Sequence, residues 1–321
     1  MQTISKRYIW IFFGVLIAIM AGAYLYNAYR PAPNPKPSVP TTTADEAASG
    51  TYYTIRDQNG LTLFQTGLTV HVDDRYINEN DIEYIIIKID EQDAVAKIFK
   101  SPEQKPVKSS TDTSWLRIPL PIQSIPVQAA KDSHVVIYHT HTDESFTPTS
   151  GTPTKPGKGD VYKLGNTMTD ALKKAGISVS HSLEKHDPHD INAYHRSRKT
   201  VVQLLKEQPD AAFDIHRDSA PTDAYLTNIN GLTTSRTMIV IGRGNPNMQT
   251  NLKYAKKVKA KADELYPGLM RGIFMGKGDY NQDLYPTALL FEIGTETLSL
   301  DLPQKSTRLL ADVLVEVLQS K

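Results

Sequence analysis

Two histidines and a glutamate follow closely on an apolar segment near the middle of the chain. The segment 139–144, with the sequence HTHTDE, comes directly after the strand-like run 135–138. Side chains of a strand repeat every second residue, so His139 and His141 can project from the same side. Imidazole and carboxylate suit zinc, and catalytic zinc sites commonly use three protein ligands. The spacing therefore predicts part of a metal site, with at least one further ligand from elsewhere.

Ionisable residues also end two other apolar runs. The run 211–215 leads into the triplet 216–218, which is His-Arg-Asp, and the run 288–291 leads into Glu292. In an open α/β sheet, ligands bind in the crevice beyond the carboxyl ends of the strands. Charged groups are rarely buried without a partner, so a purely structural explanation of these residues is weak. We interpret the three strand ends as one metal site.

These strand ends require an α/β fold from residue 132 to residue 321, with a mostly parallel open sheet flanked by helices. Apolar runs alternate there with stretches of helical periodicity, as that fold demands. The predicted strands cover 135–138, 177–180, 211–215, 237–241, 272–275 and 288–291. The predicted helices cover 162–175, 193–207, 251–266 and 306–319.

Residues 1–30 are predicted to form a cytoplasmic start and a transmembrane anchor. Lys6 and Arg7 precede an uncharged, mostly apolar run from residue 8 to about residue 26. That length is near the roughly 20 residues of a spanning helix. The segment 21–23, Ala-Gly-Ala, resembles a cleavage site, so a removed signal peptide is the alternative. The placement of positive charge predicts a single-pass protein of the cell membrane with most of its chain outside the cytoplasm.

Three further segments lie between the anchor and the α/β domain. Residues 31–50 are rich in proline and threonine and predict a linker. Residues 51–100 contain short β-branched and aromatic runs separated by turn signals, which predicts a small β-rich module. This module has no cluster of ionisable residues suited to chemistry, so we expect a spacing or docking role. Residues 101–131 are predicted to be a second linker.

The composition excludes several classes of function. The 321 residues include 36 Lys+Arg and 35 Asp+Glu, which gives no support for nucleic-acid binding. Cysteine is absent, which excludes disulfides and thiolate ligands. Ser219 lies close to His216 and Asp218, which makes a serine hydrolase the rival hypothesis. The sequence around Ser219 lacks the nucleophile-elbow pattern of such enzymes, which argues against it. The histidines between 181 and 195 are interpreted as part of a loop and a helix start.

Four motifs follow one another in the second half of the chain: IYHTH at 137–141 followed by Glu144, DIHRD at 214–218, YNQDL at 280–284 and LFEIG at 290–294. In these motifs and their order, the chain from about residue 133 to the C-terminus resembles the stage II sporulation protein P family. The N-terminal anchor matches as well. The family consists of membrane-anchored cell-wall hydrolases related to the zinc-dependent N-acetylmuramoyl-L-alanine amidases, so the resemblance implies an amidase-like fold.

The resemblance also implies roles for individual residues. It implies that His141, Glu144 and His216 hold Zn²⁺ and that Glu292 is the catalytic carboxylate. His139 is the alternative to His141 as a ligand, and otherwise it supports a ligand or the substrate by a hydrogen bond.

Three charged residues near these ligands complete the predicted site. Arg217 is expected to steady negative charge during the reaction, and Asp218 to support a ligand or the substrate. Glu296 lies four residues after Glu292 and is the alternative to it as the catalytic base.

The implied reaction is hydrolysis of the amide between N-acetylmuramic acid and L-alanine in peptidoglycan. A stem-peptide endopeptidase activity, septal wall degradation during sporulation engulfment and contacts with other engulfment proteins are implied as well. The competing hypothesis is a non-catalytic, membrane-anchored protein that binds peptidoglycan or recruits a partner. Glu292 argues against it, because binding alone needs no base.

Overall fold

The computed structural model describes residues 50–101 and 133–320. The predicted membrane anchor at 1–30 and nearly all of both predicted linkers lie outside these residues. Within the two described ranges, no helix combines the length and the apolar character that crossing a membrane requires.

Each strand and helix predicted after residue 132 is present, and five of the six predicted strands are longer than predicted. The strands are β1 (Tyr53–Arg56), β2 (Thr62–Thr66), β3 (Arg75–Asn78), β4 (Glu83–Asp90), β5 (Asp93–Lys100), β6 (His134–Tyr138), β7 (Ser178–His181), β8 (Ala211–Asp218), β9 (Leu226–Ile229), β10 (Leu232–Ser235), β11 (Thr237–Gly242), β12 (Met270–Gly276) and β13 (Ala288–Thr295). The helices are α1 (Thr147–Ser150), α2 (Val161–Lys174), α3 (Ala193–Leu204), α4 (Thr222–Tyr225), α5 (Met248–Leu265) and α6 (Asp301–Gln319). Strands β8 and β13 continue through the predicted site residues because their pairing continues there, with Glu292 opposite His216.

Eleven of the described strands form one sheet, in the order β2-β1-β5-β4-β3-β12-β11-β13-β8-β6-β7. Strands β13, β8, β6 and β7 run parallel to their neighbours within this group, as predicted. Strand β11 runs antiparallel to β13, and β12 runs antiparallel to β3. Strand β11 also pairs in parallel with β12, so four of the five pairings among the described strands of this sheet after residue 132 are parallel, as predicted. With the mainly antiparallel pairings of β1–β5, the sheet as a whole is mixed.

The strands of residues 53–100 do not form a sheet of their own. Strand β3 pairs with β12, with Ile77 opposite Ile273, and this pairing joins β1–β5 to the rest of the sheet. Gly272 permits the close approach, because a Cβ atom at this position would lie 2.3 Å from the carbonyl oxygen of Ile77. The strands of the predicted β-rich module and those of the predicted α/β domain thus belong to one sheet.

The two faces of the sheet are covered differently. Helices α2, α5 and α6 pack on one face, where Leu164 and Leu310 contact the apolar side chains of the central strands. Helix α3 covers part of the other face through Val201 and Leu204. The first five strands cover the remainder of that face, because Ile55 belongs to the same apolar cluster as side chains of β11, β12 and β13. The sheet therefore curls over its own face.

Asp218 closes this curled sheet. Strands β2 and β8 are not neighbours in the sheet order, yet Oδ1 of Asp218 accepts hydrogen bonds from Thr66 Oγ1 at 3.1 Å and from the backbone N of Gly67 at 2.7 Å. The hydroxyl of Tyr225 donates to Oδ2 at 2.8 Å. Asp218 thus fixes the end of β2 beside the end of β8.

We expect Asp218→Ala to lower the free energy of unfolding by about 3–5 kcal/mol. The change leaves buried donors without an acceptor and removes the nearest carboxylate of Arg271, at 3.6 Å. Urea unfolding of the variant measures this loss. Asp170→Ala, at an exposed position of α2, is the control and should change the free energy by no more than about 0.5 kcal/mol. Similar urea-unfolding curves for the two variants would show that the hydrogen bonds of Asp218 with Thr66 and Gly67 add no stability.

Candidate metal centre

The structure brings His141, Glu144 and His216 together. Oε1 of Glu144 lies 3.2 Å from Nδ1 of His141 and 3.1 Å from Nδ1 of His216. One ligand atom from each residue lies within 4.8 Å of the others, and all three residues are buried. His141 and Glu144 belong to the loop after β6, and His216 lies in β8. Two strand ends thus meet at one carboxylate.

Backbone N–H groups of two other residues fix the side chain and the main chain of Glu144. The backbone N of Arg217 donates to Oε2 at 2.9 Å, which leaves Oε1 to face the two imidazoles. The carbonyl oxygen of Glu144 accepts a hydrogen bond at 3.2 Å from Val161, the first residue of α2. Gly159 makes this packing possible, since a Cβ atom there would lie 2.5 Å from the same carbonyl oxygen. The orientation of Glu144 is therefore set by the start of a helix and by a strand.

Asp214 orients His216 from the opposite side. Oδ1 of Asp214 lies 3.0 Å from Nε2 of His216, and the carboxylate also accepts hydrogen bonds from the backbone N and Oγ1 of Thr140 at 2.8 and 2.6 Å. A carboxylate at one imidazole nitrogen fixes the ring so that the other nitrogen can bind a metal. Asp214 has no predicted role, although strand alternation places its side chain on the same side as that of His216.

The charges of this site favour a cation. Burial lowers the pKa of His216, but the carboxylates of Asp214 and Glu144 outweigh burial and hold that pKa well above its usual range. Burial raises the pKa of Asp214, but His216 and the hydrogen bonds from Thr140 outweigh it and keep that pKa low. Two imidazoles and a carboxylate, with a further carboxylate behind one ring, are a donor set that zinc uses. The residues present therefore fit zinc.

His139 lies beside this cluster but not in it. Its Nδ1 is 2.9 Å from the carbonyl oxygen of Ile215, and its Nε2 is 2.8 Å from Nε2 of His181. An imidazole that donates from Nδ1 to a carbonyl accepts at Nε2, so His181 is the donor in the second contact. The structure thus groups His141 with Glu144 and His216, and places His139 where it holds β8 one residue before His216.

The His139–His181 pair should make stability depend on pH. Burial lowers the pKa of His139 to about 3 and the pKa of His181 to about 4. In the unfolded chain histidine titrates near pH 6.5. Below that pH the unfolded chain binds protons that the folded chain does not, so stability is complete above about pH 6.5 and is lost as the pH falls towards 4.

We expect the urea midpoint to fall between pH 7 and pH 5, and His181→Gln to reduce that fall because one of the two buried imidazoles is gone. The amide of glutamine can still donate to His139. His195→Gln is the control, because His195 is exposed in α3. Equal pH dependence in His181→Gln and His195→Gln would contradict the assignment.

Arg217 and Asp218 both have contacts inside the protein. Nε and Nη2 of Arg217 donate to the carbonyl oxygens of Ser145 and Pro153 at 3.3 and 3.1 Å, and the side chain is buried. The guanidinium therefore positions the loop that carries Glu144, and its role in steadying negative charge stays a prediction. Asp218 joins β8 to the end of β2, and its support of a ligand or the substrate stays a prediction.

Glu292 lies next to the cluster. It is the register partner of His216 on the adjacent parallel strand, and it is buried. The alternative base, Glu296, has Oε2 at 3.6 Å from Nη2 of Arg217. Glu292 is therefore the better-placed carboxylate for a proton transfer at the cluster, and Glu296 is the partner of a positioning residue.

His189 and Asp143 form a pair beside the cluster that the sequence did not predict. The ring of His189 stacks on that of His141, with centroids 3.7 Å apart and an angle of 24°. Nδ1 of His189 lies 2.9 Å from Oδ1 of Asp143. The segment around His189 is a loop before α3, as interpreted from the sequence, and Arg196 donates to the carbonyl of His186 at 2.6 Å to hold it. No spacing in the sequence indicates this approach.

Comparison with known proteins assigns the chain to a family. A family model described as stage II sporulation protein P matches residues 63–315. The stage II sporulation protein P of Bacillus subtilis (strain 168) is 32% identical over 212 residues, which cover 60% of this chain and 53% of that protein. The chain therefore spans about half the length of this curated relative.

Two solved structures are similar to this chain at low sequence identity. The N-acetylmuramyl-L-alanine amidase Ami1 of Mycobacterium smegmatis is 14% identical, with a TM-score of 0.40, over 60% of this chain and 100% of that chain. The CwlD amidase of Clostridioides difficile, solved in complex with the GerS lipoprotein, is 10% identical, with a TM-score of 0.42, over 59% and 100% of the two chains. These TM-scores are too low to support a conclusion about fold or function. The family model runs from β2 into α6 and spans every residue of the candidate metal centre, so the chain belongs to the stage II sporulation protein P family.

Proposed function

We propose that this protein is a zinc-dependent peptidoglycan hydrolase that cleaves the amide between N-acetylmuramic acid and L-alanine during septal wall degradation in sporulation. The observation that carries the proposal is the buried cluster of His141, Glu144 and His216 beside Glu292, in a chain of this family. A binding protein needs no acid next to a metal site, which favours hydrolysis over the non-catalytic alternative.

Different residues of the chain have different roles in this proposed reaction. His141, Glu144 and His216 would hold zinc, which supplies Lewis-acid polarisation of the scissile carbonyl and of the attacking water. Glu292 accepts the proton of the attacking water and delivers it to the leaving amine. Asp214 keeps the ring of His216 in place through Nε2. The imidazole and carboxylate groups are thus set before the substrate arrives, which lowers the reorganisation needed in the reaction.

Location and partners belong to the same proposal. The charge pattern of residues 1–30 supports a single-pass anchor in the cytoplasmic membrane, with the remainder of the chain outside the cytoplasm where peptidoglycan lies. Peptidoglycan is the proposed substrate and partner, and other proteins of the engulfment complex are further proposed partners. Cleavage of stem-peptide cross-links is a second proposed activity.

The test uses the full chain and defined muropeptides, with products identified by mass spectrometry. We expect release of stem peptides that begin with L-alanine, loss of this activity with a chelator, and recovery with zinc. Cleavage within the stem peptide would identify endopeptidase activity in the same spectra. Undiminished hydrolysis in metal-free protein, or zinc-loaded protein that binds muropeptides without cleaving them, would overturn the proposal.

A further inference from the structure

A network of buried polar side chains leads away from the candidate metal centre. It begins at Asp214, behind His216 in β8, and continues through Thr140 after β6 and Ser197 in α3 to Asn281, between β12 and β13. None of these five residues is more than 2% exposed. We call Asp214, Thr140, Ser197 and Asn281 the Asn281 network.

Thr140 connects Asp214 to helix α3. Its Oγ1 donates a hydrogen bond to Oδ2 of Asp214 at 2.6 Å and lies 2.9 Å from Oγ of Ser197. An ionised carboxylate only accepts hydrogen bonds, and a hydroxyl has one proton to donate. The proton of the Thr140 hydroxyl therefore goes to Asp214, and Ser197 is the donor in the contact between the two hydroxyls.

Asn281 supplies the next hydrogen bond of the network. Its Nδ2 donates to Oγ of Ser197 at 3.0 Å and to the carbonyl oxygen of Tyr194 at 3.1 Å. Its Oδ1 accepts from Nη1 of Arg198 at 3.3 Å, and two hydrogen bonds to Asp283, at 2.8 and 2.6 Å, fix this guanidinium. A carbonyl oxygen cannot donate and a guanidinium cannot accept, so these neighbours decide which end of the amide faces Ser197. All hydrogen bonds of the network therefore run in one direction, from the amide to the carboxylate.

The turn that carries Asn281 has an unusual backbone. It lies in the motif 280–284, where the backbone N of Gln282 donates to the carbonyl oxygen of Asp279 at 2.9 Å. Both central residues are left-handed, with φ of 52° at Tyr280 and 56° at Asn281. Asparagine adopts this conformation more readily than a bulky residue such as tyrosine does. Such conformations persist only where the surroundings enforce them, and they concentrate at functional sites.

Contacts other than those of the Asn281 side chain hold this turn in place. The ring of Tyr280 is buried in an apolar cluster with side chains of β11, β12 and β13. Oε1 of Gln282 accepts from the backbone N of Gly242, and its Nε2 donates to the carbonyl oxygen of Val240, both at 2.8 Å. We therefore expect the turn to keep its structure when the side chain of Asn281 is changed.

We propose that Asn281 is a positioning residue of the metal centre, which holds the carboxylate of Asp214 behind His216 through Ser197 and Thr140. Hydrogen bonds that run in one direction polarise one another, so each strengthens the next. A metal-binding imidazole depends on such outer contacts for its orientation. This role rests on the proposed function in one respect, that the cluster binds zinc, and not on the bond that is hydrolysed.

Asn281→Asp in the full chain tests this role, because a carboxylate in place of the amide reverses the first hydrogen bond. The new carboxylate accepts the proton of Ser197, which then no longer reaches Thr140. We expect the affinity for zinc, measured by competition with a chelator, to fall about tenfold. Asp279→Asn is the matched control in the same turn. It keeps an oxygen for the backbone N of Asn281 and should change the affinity by no more than about twofold.

Variants of Thr140 show whether Asn281 acts through the network. Thr140→Val removes the hydroxyl at nearly constant size and should lower the affinity for zinc about tenfold or more. Thr140→Ser keeps the hydroxyl and should lower it by no more than about twofold. In the double variant with Thr140→Val and Asn281→Asp, the second change should add no further loss, because its effect passes through Thr140. A merely structural role of Asn281 would make the two losses multiply.

Zinc affinity is measured without hydrolysis, so this test separates the role of Asn281 from the proposed reaction. Zinc binding without cleavage of muropeptides would overturn the proposed reaction alone. Equal affinity within either pair of variants, or losses that multiply in the double variant, would overturn the role of Asn281 alone. A full chain that does not bind zinc would overturn both. If Asn281→Asp does not fold, Asn281→Gly takes its place, since glycine keeps the left-handed backbone and removes the amide without adding charge.

Discussion

Glu292→Gln is expected to reduce amide hydrolysis by about 10²–10⁴-fold, the usual contribution of a positioned acid or base. Glutamine keeps the size and the hydrogen-bonding capacity of the side chain but cannot accept a proton from water. The register partner of Glu292 is His216, so the change acts at the cluster itself. The measurement is the rate of stem-peptide release from muropeptides at saturating zinc, with zinc content and the thermal midpoint determined on the same sample.

The matched control is Glu296→Gln. Glu296 lies four residues further along, and its Oε2 is 3.6 Å from Arg217 rather than at the cluster. Zinc content should stay the same in both variants, while the large loss of rate should occur only in Glu292→Gln. A larger loss in Glu296→Gln would exchange the roles of the two carboxylates.

Glu144→Ala should abolish the metal site. Within residues 50–101 and 133–320, Glu144 is the one residue whose carboxylate contacts both His141 and His216, so its removal takes away a proposed ligand and the group that lies between the two rings. Loss of a residue that only donates or accepts a hydrogen bond to a metal ligand typically lowers metal affinity by roughly 10–100-fold. We expect Glu144→Ala to lower the affinity for zinc by more than this. Competition with a fluorescent chelator measures the affinity, and hydrolysis should disappear in parallel.

The zinc affinities of two other variants provide the comparison for Glu144→Ala. Asp214→Asn removes the charge behind His216 and should weaken zinc binding by about 10–100-fold. Glu184→Ala, at an exposed position, should leave it unchanged. If Glu144→Ala retains more affinity than Asp214→Asn, then Glu144 is not a ligand and the cluster must be reassigned.

The parts of this fold that follow from the sequence are those with local causes. The run at 135–138 corresponds to His134–Tyr138, because β-branched residues and flanking polar residues mark a buried strand within a few positions. The meeting of His141, Glu144 and His216 follows from the rule that parallel strands deliver their carboxyl ends to one edge. Neither inference needs knowledge of distant contacts.

The parts that the sequence did not show depend on distant contacts. The hydroxyl of Tyr76 donates to the carbonyl of Arg271 at 2.7 Å across 195 positions of sequence, where β3 meets β12. No local pattern indicates which strand edge another will use. The hydrogen bonds that Asp218 accepts from Thr66 and Gly67 are of the same kind, since they cross 152 and 151 positions of sequence.

The pairing of β3 with β12 has a consequence for the order in which this chain folds. The first five strands leave the ribosome long before their partner, since Gln65 and Arg271 are 206 positions apart. Until β12 is present, β3 has an open edge and the apolar side chains around Ile55 have no cover. Folding dominated by such distant pairings takes roughly milliseconds to seconds. A fragment that begins at residue 132 would lack these strands, and the apolar side chains of β11, β12 and β13 that pack against them would be exposed to water. We therefore expect this fragment to aggregate under conditions in which a chain that includes residues 50–101 folds.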